Sequence, residues 1–263
     1  MGEVLGLDVS HHNGKIAWDK VAASGRKFVI MKCQYEAKSH RIDETFEYNY
    51  AESGKYGLAR GVYVFIAQDS INDPVADANA LLAKLKGRTL EYGIWLDLES
   101  AALRKISREK ITKLCYIYAN LFRAAGYYVG IYCNKDWYDN VLDKHKLVND
   151  FEFWIARYPK NDVGAYNKSS SLSPKNYSVA WQYSSKGRIP GVPTNCDLNV
   201  DFDGVVNLLA SKNTKKSIRE IALEVIEGKW GTASTKPSRR QLLTDAGYDY
   251  AEVQKVVNQL LKY

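Results

Sequence analysis

Long apolar runs are missing from this 263-residue chain. No stretch approaches the roughly 20 apolar residues of a bilayer-spanning helix, which argues against a helical membrane protein. The N-terminal stretch MGEVLGLDVSHHNG has neither a basic n-region nor an apolar h-region, and Gly6 stands where a myristoylation motif requires Ser or Thr. The expectation is a chain made in a cytoplasm without an export signal of its own. Cysteine is scarce: Cys33, Cys115, Cys133 and Cys196 form no C-x-x-C pair, and three sit within apolar patterns. Buried small hydrophobes are expected rather than a disulfide or redox role. The four histidines, His11, His12, His40 and His145, make no H-E-x-x-H. A metal site would have to be assembled from Asp8, His11 and His12, without the spacing of a ligand set, so no metal is expected. No phosphate-cradling glycine loop follows a strand, and no cofactor is indicated. The net charge of +7 suits an anionic partner. No Lys/Arg block or RNA-binding aromatic signature accompanies it, which disfavours nucleic acid and leaves an acidic surface such as a bacterial wall.

Apolar residues make up 46% of the chain, enough for a sizeable core. Strand-like runs recur at 4–9, 27–34, 61–66, 92–98, 127–132, 151–156, 177–183 and 196–201. Helical patterns lie between the early ones, over 18–24, 44–56, 74–85 and 108–125; the last has Ser107 as N-cap, a stripe of Ile111, Leu114, Cys115, Tyr118 and Leu121, and Gly126 as its stop. After the fifth strand the helices shrink and the last strands crowd together. An α/β fold follows: an irregular, TIM-like (β/α) barrel whose last strands close with few helices.

The segment YGIWLDLES (92–100) places Asp97 and Glu99 at the end of an apolar run. Side chains alternate along a strand, so the two acids share one face while Leu98 points the other way. A strand end fraying into solvent would make them harmless; a barrel, whose chemistry lies at the C-terminal ends of strands, would make them a site. Other strand ends hold Asp8, Tyr63, Tyr132, the run WIARY with Trp154, Arg157 and Tyr158, the run WQY with Trp181 and Gln182, and Asp197. Acids ringed by aromatic faces describe a sugar site, although each aromatic taken singly is as readily core.

The runs LGLDVSHHNG (5–14), YGIWLDLES, GIYCNKDWY (130–138), FWIARY (153–158), VAWQYSS (179–185) and CDLNVD (196–201) resemble, in order, glycoside hydrolase family 25, the Chalaropsis-type lysozymes common among phage endolysins. The resemblance spans about residues 4–207. It implies an N-acetylmuramidase cutting the β-1,4 bond between N-acetylmuramic acid and N-acetylglucosamine in bacterial peptidoglycan, held in the host cytoplasm until release. It also implies Glu99 as proton donor, Asp97 as the ionised partner, Asp8 and Asp197 as supporting acids, and Trp137 among the sugar contacts. The family's Tyr-His-Phe strand reads Tyr63-Val64-Phe65 here, so Val64 is expected to face away from the cleft. A barrel that binds chitin-like sugars without cutting them, and a metal-dependent wall deacetylase, are the competing classes.

The division expected is a barrel over 1–210, a polar, basic linker over 211–216, and three short helices over 217–263 announced by the boxes Ser217/Glu220, Ser238/Gln241 and Asp249/Glu252. IALEVIEGKWG and LLTDAGYDYAEVQKVVNQLL resemble one copy of the Cpl-seven type of wall-binding repeat. That resemblance implies peptidoglycan binding, with Lys229, Trp230, Arg239 and Tyr248 as candidate ligand contacts; Trp230 is equally a core candidate. Neither nucleic acid nor a membrane is an expected partner, and the oligomeric state is left open between monomer and dimer.

Overall fold

The computed structural model describes residues 2–36, 41–202, 218–232, 234–246 and 248–261. Contacts divide the chain into two units, Met1–Leu209 and Ala210–Tyr263. The expected linker 211–216, the cap Ser217 and the stop Gly247 lie outside the described residues.

In the first unit, eight strands close a barrel in the order β1 (Val4–Val9), β10 (Cys196–Asp201), β9 (Ala180–Gly187), β8 (Phe153–Ala156), β7 (Val129–Asn134), β6 (Gly93–Asp97), β5 (Ala59–Phe65) and β2 (Phe28–Lys32). Helices α1 (Trp18–Ala23), α2 (Phe46–Lys55), α3 (Gln68–Asn72), α4 (Pro74–Leu85) and α5 (Arg108–Ala124) fill the connections between the early strands, and the short α6 (Lys144–Leu147) precedes β8. Ser107 caps α5 by accepting from the Lys110 amide, and Ile111, Leu114, Cys115, Tyr118 and Phe122 form its buried stripe. A small hairpin of β3 (Gln34–Glu36) and β4 (Arg41–Ile42), which the hydropathy pattern does not announce, follows β2.

The barrel is mixed. From β1 through β2, β5, β6, β7 and β8 to β9 every pairing is parallel, whereas β10 runs antiparallel to both β9 and β1. Only the eight residues 188–195 join β9 to β10. A parallel return needs a crossover of about a dozen residues or more, so so short a link forces the reversal.

Alternation sorts the side chains. Leu7, Val29, Met31, Val62, Val64, Ile94, Leu96, Ile131, Ile155, Leu198 and Val200 point outward into the layer between barrel and helices. Val64 is thus turned away from the lumen, while Tyr63 faces it. The inner set is aromatic: Phe28 stacks on Tyr92 at 4.3 Å, Trp95 meets Trp154 edge-on at 5.9 Å, and Trp154 lies against Tyr132 at 4.3 Å. Large rings fit because their neighbours are bare. A Cβ on Gly130 would stand 2.4 Å from the Trp95 ring, and one on Gly6 would stand 2.6 Å from the Phe28 ring.

In the second unit, α7 (Ile218–Ile226), α8 (Arg239–Asp245) and α9 (Tyr250–Leu260) enclose Ile221, Ala222, Val225, Leu243, Tyr248, Val253 and Val257. Ser238 caps α8 and Asp249 caps α9 through the amides of Gln241 and Glu252. Among the described residues no helix is long and apolar enough to cross a membrane.

The barrel floor gives a direct test. The Trp95 indole donates to the Tyr92 carbonyl at 2.8 Å and cannot swing aside. Gly130→Ala is therefore expected to cost about 1–3 kcal/mol by overpacking, read as a lowered urea midpoint; an unchanged midpoint would show that the floor is loosely packed.

Candidate active site

Four carboxyls meet at one end of the barrel. β6 delivers Asp97 at its last residue and Glu99 two beyond it, while Asp8 lies near the end of β1. Because β10 runs backwards, its second residue, Asp197, arrives at the same end and pairs in register with Asp8. Together with Tyr63, Tyr132, Trp154 and Gln182 these acids line a cavity of about 80 Å³. A larger hollow of about 410 Å³, lined by residues such as Tyr138, Phe151, Glu152 and Tyr177, holds no such group of acids.

The loop after β1 is pinned. Asn13 and Ser10 cap one another, and the Asn13 side-chain amide donates to the Asn195 carbonyl at 3.0 Å, tying the exit of β1 to the entry of β10. His11 does not turn to the acids: its Nδ1 lies 2.6 Å from Asp43 Oδ2. Among the described residues no cluster of His, Cys, Asp or Glu could hold a metal ion.

Burial dominates the electrostatics. Asp97 is only 4% exposed; desolvation, followed by the nearby Glu99 charge, pushes it well above the carboxylate range, against a lowering pull from Lys32. Glu99 stands exposed at the rim and is raised as well, by desolvation. Burial and the neighbouring Glu99 charge thus work against the ionised form expected for Asp97, and Lys32 works for it. Asp97 Oδ1 is buried with no hydrogen-bond partner among the described residues. Asp8 is pushed up to about 6, chiefly by burial and against donors from Asn199 and Gln182. Asp197 is pushed up to about 8 by burial and by the Asp8 charge.

Several expected sugar contacts lie elsewhere. Trp181 sits between the inward residues Ala180 and Gln182, so it points outward; its indole donates to the Arg157 carbonyl at 2.8 Å. Trp137, in a π-helical turn at Trp137–Val141, is buried in the same outer layer beneath the Arg104 guanidinium. Arg157 donates to the Leu172 carbonyl and does not line the cavity. Trp154 lines it but is only 1% exposed, so it offers a floor rather than a stacking face. Tyr158 reaches Gln182 through its hydroxyl. Two residues not singled out by the sequence reading belong to the site: Lys32, on the inward face of β2, and Asn199, two residues past Asp197 on the same face. Alternation along CDLNVD was the available signal for Asn199.

The four residues expected to hold wall ligand in the second unit have internal partners. Lys229 pairs with Glu227, the Trp230 indole donates to Glu224, Arg239 donates twice to the Gly231 carbonyl, and Tyr248 is in the core against Trp230. An open groove of about 570 Å³ is lined instead by Arg240, Tyr250, Ala251, Gln254, Lys255, Asn258 and Gln259.

Acids clustered at the strand ends of a (β/α) barrel, over an aromatic floor, define a glycoside hydrolase site. The chain belongs to glycosyl hydrolases family 25, whose sequence pattern matches residues 7–192. A CW_7 repeat matches 219–261. The chain is 28% identical over 221 residues to Lysozyme M1 of Streptomyces globisporus, covering 80% of this chain and 71% of that one. It is 30% identical over 168 residues to the lysozyme of Streptococcus phage Cp-7, covering 63% of this chain and 45% of the phage protein. The crystal structure of the bacterial lysozyme from Streptomyces coelicolor superposes with a TM-score of 0.64 at 26% identity, over 81% of this chain and 98% of that one. The CTP1L endolysin shares the fold, with a TM-score of 0.61 at 21% identity over 86% of this chain and 78% of that one.

A carboxyl with a higher pKa in the folded than in the unfolded chain stabilises the fold below its unfolded value, and that contribution is lost as pH rises through its folded value. For Asp197 the window runs from 3.8 to about 8. Asp197→Asn keeps a donor toward Asp8 and cannot ionise. At pH 8 it is expected to be more stable than the parent by on the order of 1–3 kcal/mol, with the advantage vanishing near pH 4. Urea unfolding at both pH values measures this; an equal gain at both would mean that Asp197 is not proton-bearing in the folded chain.

Proposed function

We propose that the protein is an N-acetylmuramidase of the endolysin kind, cutting the β-1,4 bond between N-acetylmuramic acid and N-acetylglucosamine in bacterial peptidoglycan. The observation that carries this reading is the pair on β6: one buried acid and one exposed acid, on the same strand face, in one cavity. Glu99, raised and reachable from solvent, protonates the departing glycosidic oxygen. Asp97 lies deeper, with an unpartnered oxygen and Lys32 nearby. As its carboxylate, Asp97 stabilises the positive charge that grows at the anomeric carbon. Asp8 and Asp197 set the field around this pair, and Tyr63 and Tyr132 shape the cavity wall. An enzyme of this kind is made in the host cytoplasm and reaches the wall on release.

The test is digestion of purified walls in the presence of EDTA. New N-acetylmuramic acid reducing ends are expected; N-acetylglucosamine ends, or loss of activity on chelation, would overturn the assignment. Glu99→Gln preserves shape but cannot deliver a proton. Its kcat is expected to fall by about 10²–10⁴-fold with wall binding retained, and substantial remaining turnover would give the donor role to another acid.

The CW_7 repeat supports a second contact with the wall. Beyond residue 211 the chain has ten Lys and Arg against six Asp and Glu, a surplus suited to an anionic polymer. A chain ending at Ser211 keeps all four acids and every barrel strand. It is expected to cleave soluble glycan fragments at the parent rate, to pellet less with cells and to lyse them more slowly, most clearly at low salt. Equal pelleting and equal lysis would remove the wall-binding role from the second unit.

A further inference from the structure

The hydrogen bonds beneath Asp8 have a direction, and an obligate donor sets it. An indole N–H donates and never accepts. That of Trp154 reaches Asn199 Oδ1 at 2.9 Å. The other end of the Asn199 amide is therefore its NH₂ group, which donates to Asp8 Oδ2 at 2.8 Å. Gln182 is aligned in the same sense: its Oε1 accepts from the Tyr132 hydroxyl at 2.8 Å and from the Tyr158 hydroxyl, and its Nε2 donates to the same Asp8 Oδ2 at 2.8 Å. Tyrosine hydroxyls can serve either end of an amide, so Asn199 is the member whose orientation is locked.

One oxygen of Asp8 thus receives two N–H donors inside the barrel, where they favour the carboxylate over the acid. Asp197 is opposite Asp8 in the strand register, and each acts on the other's titration. Two buried carboxyls so placed do not ionise together readily, so one of them keeps a proton while the other is charged. With Asp8 held as the acceptor, that proton is on Asp197.

We infer that Asn199, locked by the Trp154 indole, is a positioning residue that keeps Asp8 ionised and makes Asp197 the proton-bearing partner. The inference deepens the roles proposed above for the four acids and rests on them. It explains how four acids share one cavity without competing as donors. The Asp197 proton is held by the charge of Asp8, which leaves the Asp97–Glu99 pair to supply the proton that leaves with the sugar. It also assigns Trp154 to the polarity of the site instead of to sugar stacking. The shifts follow the same direction, with Asp197 at about 8 and Asp8 at about 6. The titratable groups facing Asp8 are Asp197 and Cys196 on β10, Glu99 and Asp97 at the end of β6, Tyr63 on β5, Tyr132 on β7 and Tyr158 beyond β8; Lys32 on β2 acts on Asp97.

Two variants of the full chain test this. Asn199→Asp keeps an acceptor for the indole and replaces the NH₂ facing Asp8 with an oxygen. Trp154→Phe removes the obligate donor and frees the amide to turn over. On soluble wall fragments, the acid limb of kcat/KM is expected to move upward by about one pH unit or more in Asn199→Asp. A smaller upward move is expected in Trp154→Phe, with KM at the optimum little changed. An unmoved limb in both, or a raised KM with an unmoved limb in Trp154→Phe, would overturn the inference; the latter would restore Trp154 as a sugar platform. Carbon-13 titration of the aspartate carboxyls in the parent chain needs no turnover and stands even if Asn199→Asp fails to fold. Asp8 is expected to titrate below Asp197, and the reverse order would overturn the proposal. A wrong reducing end with the expected titration order would defeat the muramidase reading alone.

Discussion

The reversal of β10 is the constraint on which the site depends. Parallel strands deliver their last residues to the mouth of a barrel, and a fully parallel barrel would have carried Asp197 to the far end. Because so few residues separate β9 from β10, the last strand enters at the mouth, and its second residue arrives beside Asp8. The Asn13 tie to Asn195 fixes that entry from the loop side. Closure of the fold and assembly of the fourth acid are therefore the same event, which makes the β1–β10 pair the least replaceable pairing in the barrel.

Packing below the acids supplies the rest of their chemistry. Phe28, Tyr92, Trp95 and Trp154 fill the lumen, and their rings fit only beside glycines such as Gly6 and Gly130. A filled floor excludes water, so the carboxyls above it lose solvation. Asp97, with one oxygen lacking a partner, is the extreme case. Such groups oppose folding and prepare a site to stabilise charge that appears only during reaction. Among the described residues, donors are present at Asp8 Oδ2 and missing at Asp97 Oδ1.

Much of this was legible because alternation is a rigid rule. It placed Asp97 and Glu99 on one face and turned Val64 outward, while short runs of strand-forming residues located all eight barrel strands to within a few residues. The same rule, applied to WQY, would have turned Trp181 outward, since it is flanked by Ala180 and Gln182 on the inner face. The aromatics are read from their placement at strand ends, as rings suited to sugars, and that placement alone does not distinguish a core ring from a binding ring. Trp137 could not be read by alternation at all, because it lies in a turn past the end of β7. The caps Ser238 and Asp249 were legible, as each needs only a side-chain oxygen three residues before a free amide. The proton location on Asp197 was not, since it depends on hydrogen bonds between residues more than 40 positions apart.

The second unit shows why an aromatic signature misleads in a small domain. Three short helices enclose few large side chains, and a bundle of that size is marginal unless each is buried. Trp230 and Tyr248 consequently meet edge-on within the unit, and the Trp230 indole is used on Glu224. Arg239, which the sequence also offered as a contact, holds the Gly231 carbonyl. The polar side of α9 faces outward. There Arg240 lies over the Tyr250 ring at 4.6 Å, and Lys255 with Gln254, Asn258 and Gln259 lines an open groove that contains no carboxylate. Core demand and surface charge thus separate by residue: the rings hold the unit together, and cations and amides line its open groove.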